Sequence, residues 1–114
     1  MTIEEYVNSN VVFEKSLYDK FEVSHIYKDY YMIKSIDTTI NMITMNGVNV
    51  CADAPFISIS LEYNRYHGFI IKITPIGIDE YNTLTIILKE DTKVKFSVKE
   101  NSLIINIKEK NNNE

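Results

Sequence analysis

Thr38-Thr39-Ile40-Asn41-Met42-Ile43-Thr44-Met45 runs into Asn46-Gly47, and Val48-Asn49-Val50-Cys51-Ala52 follows. A two-residue hairpin loop needs positive φ at both central positions, which Asn and Gly tolerate best. The stretch therefore predicts a type I′ turn joining two antiparallel strands. Working outward, short alternating runs recur from Val23 onward, divided by turn signals about every eight to twelve residues, the spacing of an all-β sandwich or barrel. The pattern predicts strands over 23–27 and 30–36 before the hairpin, and over 56–63, 69–74, 83–89, 93–99 and 103–108 after it. In one of them Ile57, Ile59, Leu61 and Tyr63 share a face, and Ser58, Ser60 and Glu62 share the other, as in a half-buried antiparallel strand.

The first residues read differently. Thr2-Ile3-Glu4-Glu5 has the form of a capping box. Ile3, Val7 and Val11 fall on one helical stripe and Phe13, Leu17 and Phe21 on another, predicting one helix to about Phe21, or two broken near Asn8-Ser9-Asn10. The expected fold is mostly β, an antiparallel β sandwich or barrel with an N-terminal helix, α+β in a strict count. Residues 1–108 are expected to form a single domain, with 1–21 a helical cap and 23–108 antiparallel β. The polar end 109–114 has nothing to bury and is expected to fray.

Composition narrows the function classes. With 114 residues, the chain has room for one core. A net charge of −4 disfavours nonspecific attraction to nucleic-acid phosphates, which needs a clustered positive field. Lys93, Lys95 and Lys99 do share one strand parity, with Val94, Phe96 and Val98 on the other, which reads as a solvated strand surface. Cys51 is the sole cysteine, so an intrachain disulfide and a multi-cysteine zinc site are excluded. The start carries early acids and no apolar stretch, so neither a signal peptide nor a membrane span is expected, and the expected location is the cytoplasm of the producing or host cell. Abundant Ile, Asn, Lys and Tyr beside two alanines and Arg65 alone indicate AT-rich coding, as in some bacteria, phages and viruses.

Gly-rich phosphate loops, dinucleotide fingerprints, zinc-protease helices and nucleophile elbows are all absent from the sequence. The densest polar-aromatic cluster is Tyr63-Asn64-Arg65-Tyr66-His67-Gly68, which holds the only arginine. Arg and Tyr are the residue types that dominate binding hot spots. A second candidate lies in Pro75–Asn82, where Ile76 and Ile78 occupy a connection that ought to be solvated, beside Asp79, Glu80 and Tyr81. A strand extended across a bulge at Gly77 would explain both isoleucines equally well. Projecting from one end of the sheet, the two connections would form a single mixed contact patch of Tyr63, Arg65, Tyr66, His67, Ile76, Ile78, Asp79, Glu80 and Tyr81. Ile70, Ile87 and Ile104 each stand on a strand face that should be wet, which predicts cover by the helix or by a second copy in a homodimer.

Catalysis has less support. His25 and His67 are the proton-transfer groups a metal-independent ribonuclease would need, but their spacing gives no sign of a pair, and His25 reads as a half-buried structural residue. Asp53, Glu62, Asp79, Glu80 and Asp91 are too scattered for an oxygen-ligand metal loop. Tyr27, Tyr30 and Tyr31 fit cross-strand packing better than base stacking. The expectation is a non-enzymatic accessory protein without metal or cofactor that binds a protein partner, for example an inhibitor or immunity factor masking a working surface. A small-ligand-binding β-barrel and a ribonuclease-like enzyme are the alternatives.

Overall fold

The computed structural model describes residues 2–27, 30–36, 40–54, 56–76 and 83–109. In chain order these form α1 (Ile3–Asn10), β1 (Val11–Phe13), a 3-10 turn (Lys15–Asp19), β2 (Phe21–Tyr27), β3 (Tyr30–Ser35), β4 (Ile40–Met45) and β5 (Val48–Ala54). There follow β6 (Phe56–Asn64), β7 (Gly68–Ile76), β8 (Leu84–Leu88), β9 (Lys93–Lys99) and β10 (Ser102–Lys108). They build two five-stranded sheets: sheet A in the order β1-β9-β10-β4-β5, and sheet B in the order β2-β3-β6-β7-β8. The sheets pack as a β sandwich with an N-terminal helix, and they do not close into a barrel.

The core follows from strand parity. In sheet B, Ile33, Ile59 and Ile73 lie in one cross-strand row, and Leu61 and Ile71 in the next, all buried. Sheet A answers with Ile43, Leu103, Ile105, Phe96 and Val94. Burying one such side chain is worth roughly 1.5–3 kcal/mol, so this shared interior dominates what holds the sheets together. The Asn46-Gly47 turn forms as predicted, with φ of 51° and 82°. It is also tied to β10: Asn46 N donates to Ile105 O (2.9 Å), and Ile107 N donates to Asn46 Oδ1 (2.7 Å).

The N-terminal region departs from expectation. Thr2 caps α1 by accepting from Glu5 N (3.1 Å), and the helix ends at Asn10, at the break expected near Asn8-Ser9-Asn10, but no second α-helix follows it to Phe21. Val11-Val12-Phe13 instead lies parallel to β9, and Phe21 begins β2. Two β-branched residues favour the extended chain, and a sheet edge was there to take it. Phe13, Leu17 and Phe21 do pack on the core, yet from a strand, a 3-10 turn and a second strand. Their four-residue spacing reported burial and not helix. Asn10 holds the break in place, its Nδ2 donating to Glu90 O (2.9 Å) and Thr92 O (3.1 Å).

Two strand pairs are parallel, β1 with β9 and β4 with β10, so sheet A is mixed while sheet B is wholly antiparallel. Alternation specifies which residues face inward, not strand direction. The three isoleucines expected to share an interface are also separated. Ile70 and Ile87 are cross-strand neighbours on the outside of sheet B, whereas Ile104 belongs to sheet A. Ile70 is already covered (4 % exposed) and Ile87 is open (61 %), so the three form no single dimer face.

Candidate binding surface

Register collects one set of connections at the same end of sheet B. Tyr30 opposes Glu62, Gly68 opposes Asn64 and Leu88 opposes Phe69, so the start of β3, the β6–β7 turn and the end of β8 lie together. The α1 helix packs into this end: Tyr6 stacks on Phe69 with ring centroids 4.2 Å apart. Ile76 opposes Phe56 at the other end of the same hairpin, a separation of eight residue steps, roughly 26 Å along an extended strand. The turn and Ile76 therefore cannot share one patch. Ile76 lies within β7, while Ile78, Asp79, Glu80 and Tyr81 are outside the described residues.

The β6–β7 turn is built from its own sequence. Asn64 Oδ1 accepts from Tyr66 N (2.7 Å) and from His67 N (3.4 Å), an Asx turn, and Gly68 takes φ of 82°, where a side chain would be strained. Arg65, Tyr66 and His67 project outward, with Tyr66 84 % exposed. At the base, Tyr63 is 43 % exposed, with its ring tilted against Phe69 at 5.1 Å. The contact then runs inward: Phe69 on Tyr6, and Tyr6 Oη donating to Thr92 O at 2.7 Å. Burial, and secondarily the Asp91 carboxylate, push the Tyr6 phenol up to about 12, so it remains a neutral donor at physiological pH. An exposed arginine-tyrosine tip thus stands on a buried aromatic anchor.

Beside it, His25 lies flat on Tyr31, with ring centroids 4.4 Å apart and planes 5° from parallel. Burial, with the Glu4 carboxylate adding, raises the Tyr31 phenol above its ordinary value. Cross-strand packing of this kind is what the tyrosine series suggested, but His25 is exposed rather than half-buried. Both histidines belong to this end of sheet B without forming a catalytic pair along the backbone. His25 sits opposite Tyr31, which opposes Leu61, so His67 lies two strands away and several residues further on. Each offset amounts to roughly 10 Å from strand geometry, against the ~3 Å that direct proton transfer requires.

Sequence reasoning found the turn and missed its anchor. Tyr6 and Thr92 are 86 positions apart, and no local pattern marks that contact. Lys93, Lys95 and Lys99 are exposed as expected, while Val94 and Phe96 are buried behind them. Comparison of the chain with protein-family models, with curated proteins and with solved structures finds no match.

Proposed function

We propose that this β sandwich is a non-enzymatic protein-binding module that engages its partner with the β6–β7 turn and the aromatic rim beside it. One observation carries the reading: Arg65 and the open ring of Tyr66 stand on a turn already ordered by Asn64, and its base is fixed to the core through Tyr63, Phe69 and Tyr6. A preordered turn loses little backbone freedom on binding, and Tyr and Arg offer large contact area with directional hydrogen bonds. A cytosolic inhibitor or immunity factor of an AT-rich bacterium, phage or virus, masking another protein's working surface, fits this reading and the acidic charge.

The alternatives find less support. A ligand-binding barrel would need a closed sheet, whereas these sheets stay open and, among the described residues, buried isoleucines and phenylalanines pack between them. A ribonuclease would need paired proton-transfer groups, and the register separates the histidines. The test is capture from the native host followed by affinity measurement. Arg65→Ala and Tyr66→Ala are each expected to weaken partner binding at least about tenfold, or roughly 1.4 kcal/mol, with melting temperature nearly unchanged. Wild-type affinity in both variants would remove the turn from the interface.

A further inference from the structure

The outer face of sheet A over β9 and β10 is basic although the chain is acidic, while β5 at the far edge of the sheet carries Asp53. Strands β1, β4, β9 and β10 contain Lys93, Lys95, Lys99 and Lys108, and no Asp or Glu. Lys93 and Lys108 are direct cross-strand partners, and Lys95 follows on the same face, flanked by Val12 and Asn106. Like charges placed directly opposite in an antiparallel ladder work against stability. The fold relieves this only in part. Lys93 Nζ donates to Ser9 O at the end of α1 (3.1 Å), and Lys95 Nζ lies 3.5 Å from Glu14. Lys108 has no ion pair or hydrogen bond among the described residues. Between these side chains runs an open groove of about 370 Å³, lined by Ser9, Val12, Lys93, Lys95, Asn106 and Lys108, with Val12 51 % exposed on its floor.

We infer that this groove docks an acidic segment of a partner protein, with carboxylates over Lys93, Lys95 and Lys108 and an apolar side chain against Val12. Charge complementarity calls for an anion, and the apolar floor calls for a ligand that is not anionic throughout. Nucleic acid fits less well. No aromatic ring or arginine lines the groove for bases to stack on. No residue of the β6–β7 turn lines the groove, so binding here and binding at the turn fail independently.

The probes are a fluorescein-labelled hexapeptide of alternating glutamate and leucine, and a labelled oligothymidylate of equal charge, each titrated by anisotropy with the full chain. The peptide is expected to bind saturably and more weakly as salt rises, and at least about tenfold more tightly than the oligonucleotide. Lys93→Gln/Lys108→Gln should weaken the peptide about tenfold or more, and Val12→Asn should weaken it without changing the salt dependence. Lys108→Gln alone should bind worse yet melt no lower than wild type, because it removes a repulsion while removing a contact. Absence of saturable peptide binding, or unchanged affinity in the double variant, would overturn the assignment. Tighter binding of the oligonucleotide would overturn it as well, in favour of a nucleic-acid face.

Discussion

Tyr6 joins the exposed turn to the interior, and its ionisation makes that link measurable. Its folded pKa, about 12, lies above the unfolded value near 10, so the folded state holds the phenolic proton more tightly. The resulting stabilisation is fully present below about pH 10 and is lost as pH rises toward 12. Denaturation followed across this window should show an alkaline loss of stability that is smaller in Tyr6→Phe. An equally steep loss in that variant would place the titration elsewhere. At neutral pH the same variant should cost only about 1 kcal/mol, the usual net worth of one hydrogen bond, because Asn10 still donates to the Thr92 carbonyl. Thr92 offers a second test. Its hydroxyl is buried without a hydrogen-bond partner among the described residues. Thr92→Val keeps the shape and removes the stranded group, so its urea midpoint should equal or exceed wild type, whereas a clear drop would reveal a bond made by that hydroxyl.

At the scale of elements, the sheet edges are protected unequally. β1 is three residues long, and β5 carries a register shift and Asp53. β2 carries Glu22. β8, Leu84-Thr85-Ile86-Ile87-Leu88, has no charge and no proline, and both Leu84 and Ile87 are exposed. An uncharged apolar edge is the usual template for further strand pairing. Association with a second copy is therefore expected along β8, rather than across a face joining Ile70, Ile87 and Ile104. Sedimentation velocity over a concentration series should show self-association that weakens in Ile87→Lys, since a lysine there would have to be desolvated in the contact. Identical sedimentation of the two proteins would take β8 out of any dimer. The helix teaches a related lesson: Ile3, Val7, Val11, Phe13, Leu17 and Phe21 all face apolar surroundings, yet only the first two lie in α1. Spacing reported which side chains seek cover, and the availability of β9 decided that Val11–Phe13 would reach it as a strand.

Over the whole molecule, some properties were written in local sequence. The mostly-β class, the Asn46-Gly47 turn with both residues at positive φ, the Thr2 cap and the buried parity of Ile57, Ile59 and Leu61 depend on backbone preference or on the side a residue faces, while the choice of two open sheets over a barrel does not. Such preferences act over a few residues, so a single chain displays them. Strand order does not follow from them. The parallel pairs β1 with β9 and β4 with β10, the wide separation of Ile76 from the Asn64–Gly68 turn, and the transfer of Ile104 to the other sheet follow from contacts between distant segments. The same holds for the functional surfaces. Arg65 and Tyr66 were visible as neighbours in sequence, but the Tyr6 anchor beneath them and the opposition of Lys93 to Lys108 required tertiary structure. Alternation records which face of a strand is buried and leaves its neighbours unspecified, and only the packing of both sheets around one core selects them.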